Sequence, residues 1–166
     1  MYEVGQKVVY GIHGVCEILD IEVKTIDRQK IAYFVLEPLE QPGTRYYIPK
    51  DKPVALSKLS PVLSRQELED LIASCDPKGS SWIADENQRK LRYRELIGSG
   101  DRRALAVMVH TLHLHKKKQA EQGRKFHLCD DNFLRDAEKL LCSEFSLVLN
   151  MTREDTAAYL KKHFEQ

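Results

Sequence analysis

The stretch VGQKVVYGIHGVCEILDIEV, residues 4–23, decides the fold of the first part of the chain. Its β-branched and aliphatic residues alternate and cluster around Gly11 and Gly14, which is typical of short strands joined by tight turns. The stretches IAYFVLEPL (31–39) and TRYYIPKD (44–51) have the same character and follow polar turns. Several short strands in the first 60 residues predict a small β-barrel, because a flat sheet of that size would leave its edges open.

The residues after Pro61 predict helices, because start and stop signals bracket stretches with helical periodicity. Ser64 and Glu67 have the spacing of a capping box, and Asp101 is placed to cap a later helix. The stretch PKGSS (77–81) predicts a break between two helices. The five predicted helices are SRQELEDLIASC (64–75), a second from about Trp82 to Ile97, RRALAVMVHTLHLHKKKQAEQ (102–122), a fourth from Asp130 or Asp131 to Leu149, and a fifth from Thr152 to about Phe164.

The predicted fold class is therefore α+β, with a β module followed by an all-helical module. We place the domains at residues 1–60 and 61–166. The segment from Lys50 to Leu63 contains two prolines and is the predicted linker between them.

The composition is that of a soluble globular protein, with 42% hydrophobic and 31% charged residues. No apolar run approaches the roughly 20 residues that span a bilayer, and the first residues lack the pattern of a signal peptide. We therefore expect a cytoplasmic protein with no membrane partner. The four cysteines include no CxxC pair and are expected to be reduced thiols, and the composition does not specify an oligomeric state.

The net charge of +1 conceals a strongly basic block. Residues 86–125 carry 11 basic and 4 acidic side chains, a net charge of +7, within an otherwise neutral or acidic chain. Such a block is typical of proteins that bind a phosphate backbone, a membrane surface or an acidic partner. The alternative is a solvated helix face with no partner.

Catalytic motifs are missing from the sequence, which has no glycine-rich phosphate loop, no HExxH and no GxSxG. His110 and His113 share a helix face, but no carboxylate or thiol has a matching spacing for a metal site. We therefore expect no catalytic residues, no metal and no cofactor, and we expect that the protein is not an enzyme.

Several ordered stretches together resemble the CarD/CdnL family of bacterial transcription regulators. The resemblance covers nearly the whole chain and, in its helical part, is greatest to the form found in many Firmicutes. It rests on VGQKVVYGIHGVCEILDIE, YFVLEPLE, YYIPKD, the single tryptophan Trp82, the basic helix after it, the SGD turn (99–101), DDNFLRDAEKLL (130–141) and EFSLVL (144–149).

For the β module, the resemblance implies a Tudor-like or SH3-like barrel that binds the β subunit of RNA polymerase. Some family members use an arginine at the position of Tyr47, which cannot form the same ion pair. Arg45 lies on the same strand face as Tyr47 and is the predicted replacement for that arginine. The alternative is that Arg45 is an ordinary exposed strand residue. The predicted polymerase-binding residues are Lys24, Arg45, Tyr47 and Pro49.

For the helical module, the resemblance implies contact with promoter DNA at the upstream edge of the melted bubble, with nucleoid association through RNA polymerase. The contact would use the minor groove and phosphates with little sequence specificity, because an apolar ring flanked by cations suits a distorted duplex. The predicted DNA-binding residues are Trp82, Arg89, Lys90, Arg92, Arg94, Lys116, Lys117 and Lys118.

Two interpretations of Trp82 remain open from the sequence. In the first, its ring wedges into the minor groove; in the second, it packs in the core, since a helix from Trp82 would put it on one face with Arg89 and Tyr93. Trp82 also lies 18 residues before Gly100, a longer spacing than in many family members. The spacing is four residues longer than in many family members, and on a continuous helix four residues would move the ring by about one turn along the helix axis.

These features predict a transcription regulator that bridges RNA polymerase and promoter DNA and stabilises the open complex. The alternative is an adaptor that docks on polymerase and uses its helical module to bind another protein. The two functions differ in whether the protein has a salt-sensitive affinity for DNA.

Overall fold

The computed structural model describes residues 2–75 and 82–164, so the predicted break at PKGSS (77–81) lies outside the described residues. The chain divides into two compact units, Met1–Val62 and Leu63–Gln166, which we call the sheet unit and the helical unit. None of the helices in the described residues combines the length and hydropathy needed to span a membrane. All four cysteines lie in the described residues, and none forms a disulfide.

The sheet unit contains one antiparallel sheet, and together with the helices that follow it this confirms the α+β class. Its strand order is β4-β3-β2-β1-β5, which makes β4 and β5 the two outer strands. A short helix, α1, follows β4. The elements are β1 (Lys7–Tyr10), β2 (Val15–Ile26), β3 (Gln29–Pro38), β4 (Tyr46–Pro49), α1 (Pro53–Leu56) and β5 (Leu59–Pro61).

The hydrophobic cluster that includes Phe34 lies on one face of this sheet, and Val35 is buried on the opposite face. Phe34 pairs with Ile48 across β3 and β4, and all three of Phe34, Leu36 and Ile48 are buried. Successive strand residues point to opposite faces, so β4 alternates between buried and exposed side chains. Along β4, Ile48 is buried and Tyr47 is exposed, as the alternation predicts.

The segment from Lys50 to Leu63, which the sequence predicts to be a linker, forms secondary structure over half of its length. Leu59–Pro61 forms β5, and Tyr10 of β1 pairs with the buried Leu59. The two prolines indicated a linker, but both occupy positions in regular structure that tolerate proline. Pro53 lies in the first turn of α1, and Pro61 ends an outer strand.

Within residues 63–75 and 82–164 the helical unit forms five helices, which correspond in order to the five that the sequence predicts. The capping box at Ser64 and Glu67 is present, and the Asp101 carboxylate accepts the Ala104 N–H at 3.0 Å. The helices are α2 (Arg65–Ser74), α3 (Glu86–Ser99), α4 (Arg102–Glu121), α5 (Leu128–Leu149) and α6 (Arg153–Phe164).

Two predicted helix starts are wrong. α3 begins at Glu86 rather than Trp82, because Asp85 acts as the N-cap and accepts the Gln88 N–H at 2.9 Å. α5 begins at Leu128, so that Asp130 lies in its first turn instead of capping it. Trp82 therefore precedes the helix, and arguments from its helical face or from a one-turn shift do not apply.

A buried carboxylate joins three parts of the helical unit. Glu144 of α5 accepts the backbone N–H of Leu63 at 2.9 Å and two N–H groups of Arg102, at 2.5 and 2.8 Å. Glu144 is only 3% exposed, so these bonds compensate for the cost of removing its charge from water. These bonds hold two segments against α5, namely the start of α4 at Arg102 and the residue Leu63 just before α2.

Replacing Glu144 by alanine should lower the free energy of unfolding of the full chain by about 3 kcal/mol, because Arg102 would be left without this buried acceptor. The matched control is Glu69→Ala, which removes an exposed ion pair with Arg65 and should cost at most about 1 kcal/mol. Urea denaturation followed by circular dichroism measures both. Equal destabilisation in the two variants would show that Glu144 does not have this role.

Candidate functional site

Trp82 lies at the edge of the helical core, where its half-buried ring is held by two polar side chains. The His115 imidazole stacks on the indole, with the ring centroids 3.6 Å apart and the planes 6° from parallel. The Arg89 guanidinium carbon lies over the indole, 4.7 Å from its centroid. Trp82 is thus neither a core residue nor a fully exposed ring.

Arg89 is in turn fixed by a buried ion pair with Asp130 of α5. Its Nε and Nη2 donate to the two carboxylate oxygens of Asp130 at 2.8 and 3.1 Å. Its Nη1 donates to the backbone carbonyl of Ile83 at 2.9 Å. Arg89 and Asp130 are 4% and 1% exposed, so the pair anchors the segment that carries Trp82 onto α5.

Cationic side chains lie at this end of the helical unit, where α3 begins and α4 ends, and all but the partly buried Lys90 are exposed. Lys116 lies 5.6 Å from the Phe126 ring centroid and pairs with Asp131 at 3.1 Å. Lys90 pairs with Glu86 of its own helix at 3.1 Å. We call this cationic region the basic end, and it comprises Lys90, Lys116, Lys117, Lys118, Arg124 and Lys125. Lys116 and Lys118 flank His115 on α4, whereas Lys117 lies roughly 160° around the helix from it.

The pKa shifts show how closely these groups approach each other. The pKa of the exposed Glu86 carboxyl is lowered, first by Lys90 and to a smaller extent by His127 and Arg89. Burial lowers the pKa of His115, and the positive charges of Arg89 and Lys118 lower it further, while Asp130 opposes them. The His115 ring that stacks on Trp82 is therefore held in its neutral form.

A second polar surface lies on the outer face of the sheet unit. The Lys24 ammonium lies 3.8 Å from the centroid of the Tyr47 ring, which is 40% exposed. Arg45 is exposed immediately before β4, and Pro49, the last residue of β4, pairs with Tyr33 of β3. The four residues predicted to contact polymerase thus lie on or beside β4, with Lys24 reaching it from β2.

Two family models match the chain, one for each unit. Residues 2–60 match the CarD-like/TRCF RID domain, and residues 76–161 match the CarD C-terminal domain. The chain belongs to the CarD family. It is accordingly a transcription factor that interacts with RNA polymerase, and its first 60 residues are Tudor-like. A search of curated proteins gives no significant match.

In this CarD-family protein the basic residues of α3 do not form a single patch. Arg89 is buried in its pair with Asp130, so the prediction that it contacts DNA is wrong. Lys90 and Arg94 lie on neighbouring sides of α3, whereas Arg92 is roughly 160° around the helix from Arg94. Arg92 instead lines a groove between α3 and α4.

The sequence interpretation also missed residues of the basic end. Arg124 and Lys125 are exposed in the loop between α4 and α5, beside Phe126. Both residues belong to the basic block of residues 86–125. Helical periodicity predicts which way a helix residue faces, but it makes no such prediction for a loop residue. The charge count of residues 86–125 is the one signal in the sequence that includes them.

The other two histidines of HTLHLH are engaged in packing and hydrogen bonds. His110 stacks on Phe164 with centroids 4.6 Å apart, and His113 Nε2 lies 2.5 Å from the Glu138 carboxylate. Among the described residues no group of three potential ligands is placed to hold a metal ion.

The lowered pKa of His115 predicts a pH-dependent stability. The unfolded chain protonates this residue near pH 6.5, whereas the folded chain does so only at lower pH, so stability falls as the pH drops below about 6.5. Replacing His115 by glutamine should reduce this fall. Urea denaturation of both proteins at about pH 7.5 and pH 5.5 measures it, and an identical fall in the two would exclude His115 as a source.

Proposed function

We propose that this protein bridges RNA polymerase and promoter DNA and stabilises the open complex without catalysing a reaction. The sheet unit binds the polymerase β subunit, and the basic end of the helical unit contacts DNA at the upstream edge of the bubble. The observation that carries the proposal is the position of Trp82, a half-buried ring held by His115 and Arg89 at the end of the helical unit that carries Lys116 and Lys118.

The arrangement suits a distorted duplex better than regular B-form DNA. Lysine and arginine side chains bind phosphates without reading sequence, and an apolar ring covers a base step that is already unstacked. Because His115 stacks on the indole and Arg89 lies over it, the side chain is ordered before DNA binds, and a base step would contact the edge of the ring or displace one of these two partners. The contact is therefore directed at melted promoter DNA rather than at duplex DNA in general.

On the polymerase side, β4 offers both an outer strand and exposed side chains. Outer strands can add a strand from a partner through main-chain hydrogen bonds. Arg45 and the Lys24–Tyr47 pair flank that strand and provide positive charge for an acidic partner surface.

Two weak interfaces in one chain support each other. Binding of one unit raises the effective concentration of the other near its own partner, without any additional interaction. A modest basic end is then sufficient, and tight binding to isolated DNA is not required.

The Lys116→Glu/Lys118→Glu variant tests the DNA interface. It should weaken binding to a duplex with a preformed bubble, and the slope of log K against log salt should become shallower by about 0.9 for each phosphate that the protein no longer neutralises. The matched control, Arg65→Glu/Lys139→Glu, makes the same charge change at exposed sites on α2 and α5. Fluorescence anisotropy over a salt series measures both.

This control variant should retain the affinity and salt slope of the wild type. If the Lys116→Glu/Lys118→Glu variant also retains them, the basic end is a solvated surface and the proposed DNA contact is wrong.

A further inference from the structure

A groove of about 410 Å³ runs between α3 and α4, on the side of α3 that faces away from Lys90. Its floor is apolar and is formed by the half-buried Leu96 of α3 and Val107 of α4, with the buried Tyr93 and Met108 beneath them. Arg92 and Arg103 line it from the two helices. The proposed DNA contact uses none of these floor residues.

We infer that this groove binds an amphipathic helix of a partner protein whose apolar face is flanked by acidic residues. The proposal is independent of the DNA contact, because the groove and the basic end share no residue.

The dimensions of the groove favour a helix. Its α4 wall extends from Arg103 to Thr111, which corresponds to about 12 Å along the helix axis. Two turns of a partner helix cover about 11 Å, so three side chains at positions i, i+4 and i+7 can contact the apolar floor together.

The charges along the groove favour an acidic partner. Arg103 donates to the hydroxyl and the carbonyl oxygen of Ser74, at 3.1 and 3.4 Å, and neither oxygen neutralises its charge. Arg92 pairs with Glu95 at 3.4 Å, and both side chains are more than half exposed, so a partner carboxylate can replace Glu95.

Among the residues that the structure describes, Asp101 is the one acidic side chain that lines the groove, and it is already engaged. Asp101 accepts the Ala104 N–H as the N-cap of α4, which fixes its carboxylate at the helix start. The two arginines therefore determine the charge that a ligand meets, and carboxylates beside its apolar face complement them.

The proposal gives Arg92 a different role from the one that the sequence suggests. Arg92 belongs to the groove, whereas Lys90 and the lysines of α4 belong to the basic end. The helical unit then carries two binding surfaces, one for nucleic acid and one for a protein segment.

The test uses the full chain and a fluorescein-labelled synthetic peptide of about four helical turns, with leucine at i, i+4 and i+7 and glutamate on both flanks. One control peptide carries lysine in place of glutamate, and another carries serine in place of leucine. Anisotropy should show micromolar binding of the acidic peptide and binding at least about tenfold weaker for both controls.

The protein variants locate the site. Arg92→Glu/Arg103→Glu should weaken binding of the acidic peptide at least about tenfold, or about 1.4 kcal/mol. The matched control Arg94→Glu/Arg65→Glu, at exposed positions of α3 and α2, should bind like the wild type. Arg92→Gln/Arg103→Gln provides a second variant without charge reversal, and circular dichroism confirms that each variant is folded.

Four results would overturn the inference. The first is equal binding of the lysine peptide, and the second is equal binding by the folded Arg92/Arg103 variants. The third is displacement of the peptide by duplex DNA, which would assign the groove to nucleic acid. The fourth is concentration-dependent dimerisation in sedimentation that the Arg92/Arg103 variants abolish, which would assign the groove to a second copy of this chain.

Discussion

The buried ion pair between Arg89 and Asp130 is the interaction on which the end of the helical unit depends. Removing two charges from water is costly, and the cost is met here by two bonds between the side chains and a third from Arg89 to the Ile83 carbonyl. This third bond connects the ion pair to the residue that follows Trp82. An arginine in a basic stretch thus serves the interior of the protein rather than a nucleic acid.

The consequences of this pair extend through neighbouring side chains to the proposed DNA surface. The Arg89 guanidinium lies over the Trp82 ring, and the ring lies on His115, which is followed directly by Lys116. Each contact restricts the next, so the indole has a defined position before any ligand arrives. Preorganisation of this kind lowers the entropic cost of a weak interaction, which matters for the proposed function because that function combines two modest interfaces in one chain.

Local patterns predicted most of the fold, because strands, caps and helical stripes depend on nearby residues. The burial of Arg89 could not be predicted in this way, since its partner Asp130 lies 41 positions away and basic residues are usually exposed. The predicted start of α3 is wrong because Trp82 fits the helical period, whereas Asp85 is the residue that caps the helix. The groove between α3 and α4 depends on the packing of two helices, which periodicity does not describe.

The central claim is that both interfaces must act within one chain, and the lifetime of promoter open complexes under competitor challenge tests it most directly. One variant, Lys24→Glu/Arg45→Glu, alters the polymerase surface, and another, Lys116→Glu/Lys118→Glu, alters the basic end. We expect the wild type to lengthen the lifetime, each variant to lack most of this effect, and an equimolar mixture of the two variants to remain as ineffective as either alone. Full activity of either variant, or recovery of the wild-type lifetime by the mixture, would contradict the account.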